Sequence, residues 1–187
     1  MTQKNIVVLL FLIFILIRLS YGRGKDERQR FHHLRELSFT SLFTFTLLGC
    51  YIYYFSNKDP FYPIEYHNSM IWIGCIFGFL GNLLLLWVHR CLGVNFSPHL
   101  EIRSEHKLIQ EGPYKYLRHP MYTSGYLFLV GCGLVSQDAL LLFPPVFTFS
   151  LLLLFRLSDE ERMLHEEFGH EWEDYAKKTR RVIPFVW

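Results

Sequence analysis

MYTSGYLFLVGCGLVSQDALLLFPPVFTFSLLLLFRL, residues Met121–Leu157, is the stretch that decides the fold. It is too long for a single helical crossing of a hydrocarbon core, which takes about 20 residues. The polar triplet Ser136-Gln137-Asp138 interrupts it, and this predicts two short helices joined as a tight hairpin. Pro144 and Pro145 then fall in the first turns of the second helix, where missing backbone donors cost least.

Three more apolar stretches precede this hairpin, namely Asn5–Tyr21, Ser38–Phe55 and Ser69–Val88. The chain of 187 residues is 51% apolar or aromatic, and 19% of its residues are charged, against about 25% in soluble domains. Its mean hydropathy is +0.17, and its net charge of +2 is too small to indicate nucleic-acid binding. We therefore predict an all-α integral membrane protein with five transmembrane helices, forming one domain over residues 1–187.

The first apolar stretch has two interpretations, a retained span and a secretory signal peptide. Only Lys4 precedes the apolar core, whereas the heavier positive charge follows it. No small-x-small cleavage site follows Ile17, and Arg18-Leu19-Ser20-Tyr21 is a poor candidate for one. We favour the retained span.

The distribution of lysine and arginine predicts the orientation, because basic residues stay on the cytosolic side. Segments 18–37, 89–120 and 156–187 hold six, five and six of them, whereas segment 56–68 holds only Lys58 and the hairpin tip holds none. Five spans place all three basic segments on one side. The N-terminus is then expected outside or in the lumen, with the C-terminus and any site in the cytosol.

Neither a disulfide framework nor a zinc site is predicted from the cysteines and histidines. The pair His32-His33 has no further ligands at metal spacing, and we interpret it as a solvated pair beside the membrane. The four cysteines show no CxxC spacing and fall within or at the end of apolar stretches: Cys50, Cys75, Cys91 and Cys132.

Small residues recur in the third apolar stretch. Gly74 and Gly78 form a small-x-x-x-small pair, and Gly81 follows closely. Such a pattern lets two helix backbones approach each other. We expect this face to pack against another helix.

The segment before the hairpin carries candidate polar groups. Gly112-Pro113 is a turn signal, and Pro120 suits the first position of the fourth span. Arg118 and His119 would then lie at a helix N-terminus, a place that attracts anionic groups. The alternative is that Arg118 snorkels and His119 packs against lipid headgroups.

The tail after the hairpin reads as an amphipathic helix over 159–177. Ser158-Asp159-Glu160-Glu161 has the form of a capping box, and Glu160 falls on the apolar stripe, where a carboxylate is out of place for packing alone. Arg156 either flanks the membrane or grips a carboxylate or phosphate in bidentate fashion. The stripe recurs at helical spacing in Leu164, Phe168, Trp172 and Tyr175.

Two runs resemble the signatures of the isoprenylcysteine carboxyl methyltransferases, which belong to a wider group with membrane phospholipid methyltransferases. The first run is His106-Lys107-Leu108-Ile109, Gly112-Pro113-Tyr114 and Arg118-His119-Pro120-Met121-Tyr122. The second is Glu160-Glu161, Leu164, Phe168-Gly169, Trp172, Tyr175 and Arg181-Val182-Ile183-Pro184. Leu92–Ser97 also resembles the family, so the likeness extends from about residue 80 to the end, while the first two spans match only in layout.

The resemblance implies an S-adenosylmethionine site in residues 89–187 that faces the cytosol and roofs a cavity open to the membrane. Where the family has tyrosine in its second signature, this chain has Trp172, which retains the stacking surface and lacks the hydroxyl. The implied cofactor contacts are His106, Lys107, Leu108, Ile109, Gly112, Pro113, Tyr114, Arg118, His119, Pro120, Tyr122, Glu160 and Glu161.

The resemblance also implies a chemistry, with Arg156 and Glu160 as the catalytic candidates. A carboxylate acceptor, such as an isoprenylcysteine entering from the bilayer, is already anionic, and Arg156 would hold it. A phospholipid amine needs a base, for which Glu160 or His119 would serve; a small thiol is the other acceptor considered. A transporter or scaffold is the non-enzyme alternative, but the spans offer few polar groups beyond Asn82. Neither a metal nor a nucleic-acid partner is expected.

Overall fold

The computed structural model describes residues 2–21, 33–57, 59–64, 68–93 and 107–182, with the backbone alone for 33–37. Its described residues form six α-helices and one 3-10 turn, Gly112–Lys115. The all-α membrane fold and the hairpin are confirmed. The helices are α1 (Gln3–Tyr21), α2 (His33–Ser56), α3 (Ser69–Leu92), α4 (Pro120–Ser136), α5 (Ala139–Phe168) and α6 (His170–Lys178).

The first five helices alternate in direction between two ends of the molecule. At one, which we call the hairpin end, Gln3 hydrogen bonds Gln137 at 2.6 Å and the Lys4 ammonium donates to the Asn57 carbonyl. At the other, the tail end, Tyr21 of α1 stacks on His89 of α3 with ring centroids 5.0 Å apart. The N-terminus and the tail after α5 therefore lie at opposite ends, as five spans require.

Four described helices are long and apolar enough to cross a membrane, namely α1, the part of α2 from Ser38 to Ser56, α3 and α5. Helix α4 has 17 residues and is about 26 Å long at 1.5 Å per residue, slightly shorter than a hydrocarbon core of about 30 Å. The chain is a multi-pass integral membrane protein. The count of five spans, with α4 as the fourth, stays a prediction.

The hairpin between α4 and α5 is held by Asp138. Gln137 adopts the left-handed conformation that ends α4, and the buried Asp138 carboxylate accepts from the backbone N–H of Leu140 at 2.9 Å, which caps α5. The same carboxylate accepts from the Phe61 N–H at 3.0 Å. A charge in the middle of an apolar run is thus a cap that ties two connections together.

Helices α3 and α4 are in backbone contact along the predicted glycine face. A Cβ placed on Gly74 would lie 2.8 Å from the Leu134 Cβ, and one on Gly81 would lie 2.8 Å from the Phe128 amide nitrogen. Facing them on α4, a Cβ on Gly131 would meet the Gly78 backbone. The predicted close helix packing is confirmed. Helix α4 lies at the centre of the bundle and carries the end of the first signature at its tail end.

The prediction of a capping box at Ser158 is wrong. Ser158 lies inside α5, whose described helix runs without a break from Ala139 to Phe168. The backbone donors of this turn already have carbonyl partners in the preceding turn, so no cap is needed. The helix ends instead at Gly169, where φ is +50°, and α6 follows. The predicted helix 159–177 is therefore divided between α5 and α6.

Candidate functional site

The two signatures meet through a short parallel backbone pairing at the tail end. The N–H groups of Arg118 and His119 donate to the carbonyls of Arg180 and Arg181 at 2.7 and 2.9 Å, and the Arg180 N–H donates back to Tyr116 at 3.0 Å. This pairing fixes the entrance of α4 against the segment that follows α6. Residues that lie roughly 60 positions apart in the sequence are thereby brought into one site.

Arg118 anchors this arrangement. Its Nη1 donates to the carbonyls of Ala176 and Thr179 at 2.7 Å each, and its Nε donates to Glu161 at 3.0 Å. The two carbonyls belong to the last turn of α6 and its end, where helices leave acceptors without intrahelical partners. The guanidinium, with 12% of the side chain exposed, therefore holds α6, α5 and the loop before α4 together.

Glu161 lies among three basic groups. It accepts from Arg118 and, at 2.8 Å, from Arg181 Nη2, and His119 Nε2 lies 3.4 Å from it. The apolar part of α5 ends at Leu157, so this turn lies beyond the hydrocarbon. Burial alone raises the pKa of the Glu161 carboxyl, but contacts with His119, Arg181 and Arg118 outweigh it and lower the pKa to about 2. Glu161 is therefore an anion at neutral pH.

Glu160 is the more accessible of the two carboxylates. Its Oε2 accepts from the Tyr122 hydroxyl at 2.7 Å and lies 3.7 Å from His119 Nδ1, and 26% of its side chain is exposed against 15% for Glu161. His119 is buried between the two carboxylates, with its ring 5.8 Å from that of Tyr122. Glu160 is therefore the carboxylate that a ligand can reach, whereas Glu161 stabilises the structure through its contacts with the arginines.

An aromatic layer lies beneath the loop before α4. The Tyr175 hydroxyl donates to the Tyr114 carbonyl at 2.8 Å and approaches the Leu117 carbonyl at 3.3 Å. Burial raises the pKa of the Tyr175 hydroxyl, as it does for Tyr114, so both stay protonated. Trp172 is buried and packs on Tyr175 with ring centroids 5.6 Å apart.

Arg156 lies one helical turn before Glu160, on the same face of α5. It is half-buried and interacts electrostatically with the Tyr122 hydroxyl. Both catalytic candidates are therefore brought to Tyr122, at the boundary between the apolar spans and the polar tail end.

The remaining predicted contacts form the rim of the site. Lys107 is exposed. Gln110, three residues later, donates to Glu171 at 3.1 Å, which places this loop next to the start of α6. Gly112 has φ +59°, and a Cβ there would lie 2.5 Å from the Cys91 Sγ, so the turn requires glycine. Leu108 and Ile109 are half-buried, while Pro113 and Pro120 are buried. His106 lies outside the described residues, as do Ile183 and Pro184 of the second signature.

Two arginines gain a role that sequence reasoning did not give them. Arg181, quoted only as part of the second signature, is the second partner of Glu161. Arg18, counted only toward orientation, lies in the last turn of α1 with its Nη1 3.3 Å from the Met121 Sδ. The sequence signal for this role was that Arg18 precedes the end of the apolar stretch at Tyr21 and so falls inside the helix.

A cavity of about 700 Å³ opens at the hairpin end, far from this cluster. Its lining includes Lys4, Asn57 and Gln137, none of which belongs to either signature. The chemistry therefore concentrates at the tail end, where the carboxylates, His119 and the arginines meet.

Comparison with known proteins shows which proteins this chain is similar to. The sequence model described as phospholipid methyltransferase matches residues 69–171. The probable protein-S-isoprenylcysteine O-methyltransferase of Oryza sativa subsp. japonica is 26% identical over 165 residues, covering 83% of this chain and 85% of that protein. The protein-S-isoprenylcysteine O-methyltransferase of Saccharomyces cerevisiae is 27% identical over 176 residues, covering 91% and 73%.

A solved structure shares the fold. The eukaryotic intramembrane Ras methyltransferase, an isoprenylcysteine carboxyl methyltransferase solved without a monobody, has a TM-score of 0.61 at 21% identity. The alignment covers 83% of this chain and 54% of that one, so this chain spans about half the length of that enzyme. Because the family match extends over more than half of its residues, this multi-pass membrane protein belongs to the phospholipid methyltransferase family.

Proposed function

We propose that the chain is an S-adenosylmethionine-dependent methyltransferase that esterifies the carboxylate of an isoprenylcysteine-like lipophilic acceptor. The observation that carries this proposal is the joining of Tyr122, Glu160 and His119 next to Arg156, where apolar spans meet the polar tail end. A polar donor and a lipid-phase acceptor can both reach such a boundary. The names of the rice and yeast relatives support the same reaction and acceptor.

The described residues fit S-adenosylmethionine by their chemistry. The molecule carries a sulfonium and an ammonium group, and Glu160 offers a half-buried carboxylate whose Oε1 accepts no hydrogen bond from the described part of the chain. His119 Nε2 is buried and makes no hydrogen bond of good geometry with those residues, so it retains a donor or acceptor for a ligand.

We assign to the cofactor the residues that the resemblance implies. The loop 107–114, which includes Lys107, would cover it, and Glu160 would face its positive charge. Arg118 and Glu161 would act mainly by holding the loop and tail in register, since their hydrogen bonds are made to each other and to α6. His106 and the rest of residues 89–187 complete the proposed cofactor-binding part of a single domain.

When bound, S-adenosylmethionine supplies an electrophilic methyl group. A carboxylate acceptor brings its own nucleophilic oxygen, so no side chain has to remove a proton. The work left to the chain is to hold the acceptor oxygen in line and to keep water away. Arg156 suits the first task, since guanidinium binds carboxylate through two parallel hydrogen bonds, and Tyr122 with its aromatic neighbours suits the second.

The same arrangement supports a proposed orientation. The N-terminus lies outside or in the lumen, and the tail end faces the cytosol, from which the soluble methyl donor comes. The acceptor enters from the bilayer. The basic segments 18–37, 89–120 and 156–187 support this orientation, and three of their described arginines, Arg18, Arg118 and Arg181, lie at the tail end.

A phospholipid amine or a small thiol is the second candidate acceptor. An amine must lose a proton, and Glu160 with His119 Nδ1 at 3.7 Å could accept it. The two candidates separate by product, because only a carboxylate gives a methyl ester that base hydrolyses.

Binding of S-adenosylhomocysteine to the purified protein tests the cofactor assignment. We expect the wild type to bind in a calorimetric titration and Glu160→Gln to bind at least about ten-fold more weakly, as for the loss of one charge-assisted contact. Glu166→Gln is the matched control, since Glu166 lies on the same helix and is 56% exposed. No measurable binding to the wild type would refute the proposal.

A further inference from the structure

Arg18 is a cation that the first helix carries to the tail end. It is half-buried in the last turn of α1, and its Nη1 lies 3.3 Å from the sulfur of Met121. Met121 precedes Tyr122, whose hydroxyl is bonded to Glu160. The guanidinium therefore approaches Tyr122 and its partner Glu160 from the end of α1.

Arg156 approaches the same place from α5. Arg18 and Arg156 lie within electrostatic range of each other, and each also interacts with Tyr122. Two guanidinium groups at the end of apolar helices repel each other, and an anion bound between them would relieve that repulsion. Each guanidinium has five N–H donors, so each can hold an anion in addition to its other contacts.

The surroundings of the two arginines are apolar and aromatic toward the hairpin end. Phe14, one turn before Arg18, stacks on Phe128 with ring centroids 4.3 Å apart. On the α5 side, Phe149 packs against Phe43 and Tyr126, each at 5.1 Å. An acceptor with an anionic head and a hydrocarbon chain matches this order of groups, with the head at the arginines and the chain among the rings.

At the tail end, α1 and α2 pack on different neighbours. Tyr21 of α1 stacks on α3 through His89, whereas Phe39 of α2 stacks on Phe155 of α5 at 4.1 Å. Nearer the hairpin end the two helices meet, with the Phe11 and Tyr51 rings 4.8 Å apart. Arg18 and Arg156 thus belong to two helix pairs that flank Tyr122 from either side.

We propose that Arg18 and Arg156 together hold the negatively charged head of the lipophilic acceptor, and that Arg18 makes the site select carboxylates over amines and uncharged groups. This inference rests on the proposed function and names the charge class of its substrate. A protonated or neutral amine gains nothing from two guanidiniums, whereas a carboxylate can accept from both. Arg18 acts as a specificity-determining residue contributed by the first helix.

Affinity for an N-acetylated prenylcysteine and for its carboxamide tests the proposal. The two ligands have the same hydrocarbon chain and differ only in the charge of the head. Calorimetric titrations use the full chain in detergent with S-adenosylhomocysteine bound. We expect the wild type to prefer the acid, and Arg18→Gln to reduce that preference by about ten-fold, the size of one charge-assisted contact.

Two variants keep the result interpretable. Arg18→Lys retains the charge without the guanidinium fork, so it should retain part of the preference. Arg90→Gln removes an exposed arginine from the last turn of α3 at the same end and should leave the preference at the wild-type value. Melting temperatures of all variants report on folding.

Several outcomes overturn the proposal. These are a wild type that binds acid and amide equally, an Arg18→Gln variant with the wild-type preference, and a loss of affinity that is equal for acid and amide. Methyl-ester formation by the same wild-type preparation is measured in parallel. Ester formation without a charge preference refutes the role of Arg18 alone, whereas a preference without ester refutes the proposed function.

Discussion

Replacing Glu161 by glutamine keeps the shape of the side chain but removes the charge that Arg118 and Arg181 share. In the native structure Glu161 accepts from Arg118 Nε at 3.0 Å and from Arg181 at 2.8 and 3.2 Å. A glutamine has one carbonyl oxygen and an NH₂ group, which cannot accept. The oxygen at the Oε1 position can still accept from Arg118 Nε and Arg181 Nε, so the substitution removes the bond from Arg181 Nη2 to Oε2. Both guanidinium groups lose the neutralising charge.

The size of the effect follows from the burial of the partners. A hydrogen bond to a charged group contributes about 1.5 kcal/mol or more, and the Arg118 side chain, 12% exposed, cannot turn to water without breaking its bonds to α6. Arg181 is 42% exposed, so water recovers most of its share. We expect a loss of about 2 kcal/mol, equivalent to about 4–8 °C in melting temperature for a chain of this size.

Thermal unfolding in detergent micelles measures this loss. Glu166→Gln is the matched control, because Glu166 lies on the same helix and its ion pair with Arg162, at 3.8 Å, is exposed; it should shift the melting temperature by less than about 2 °C. A Glu161→Gln variant that melts together with this control would contradict the anchoring role of Glu161.

Three further predictions concern packing, the site and pH. Gly81→Ala should destabilise the protein by about 1–3 kcal/mol, since the new methyl would meet the α4 backbone at 2.8 Å, whereas Gly49→Ala, with open space around it, should not; equal melting temperatures would refute the backbone contact. Tyr122→Phe removes the donor to Glu160 and should weaken S-adenosylhomocysteine binding by about two- to ten-fold, and an unchanged dissociation constant in titration would count against that placement. The pKa of Glu161 in the folded protein, about 2, lies below its ordinary value of 4.5, so the stabilisation by its charge is complete above the ordinary value and is lost as pH falls toward 2. The difference in melting temperature between wild type and Glu161→Gln should therefore be constant near neutral pH and shrink at about pH 3. A difference that grows on acidification would contradict this prediction.

The helices were predictable because each depends on local composition. The polar triplet at 136–138 and the length of the apolar run Met121–Leu157 indicate a hairpin independently of the rest of the chain. The glycine face of α3 was also predictable from a local pattern, because small residues four positions apart are typical of a helix whose backbone another helix approaches closely. Sequence could not reveal that Gly131 of α4 is the opposing position, because helix pairing depends on long-range packing.

The tail shows where local patterns fail. Ser158-Asp159-Glu160-Glu161 satisfies the pattern of a capping box, yet a cap forms only where the preceding residues are not helical. Here the fifth span continues through the pattern to Phe168. A four-residue window carries no information about whether the helix before it has ended.

The sequence predicts which polar residues gather at the tail end better than it predicts the contacts they make there. Arg118 was expected beside the cofactor, but its guanidinium donates to two carbonyls of α6 and to Glu161. That role depends on the parallel pairing of Arg118 and His119 with residues 180 and 181, which has no periodicity to detect. Arg18 was visible only as a charge at a span end, because its neighbour Met121 is distant in sequence.

The most direct test of the account is the chemical form of the transferred methyl group. Purified wild-type protein is incubated with S-adenosylmethionine labelled in its methyl group and with a prenylcysteine, a phosphatidylethanolamine or a small thiol as acceptor. We expect label in the prenylcysteine alone, released as methanol by mild base and lost in Arg156→Gln. Base-stable label in the phospholipid or the thiol, with none in the prenylcysteine, would contradict it.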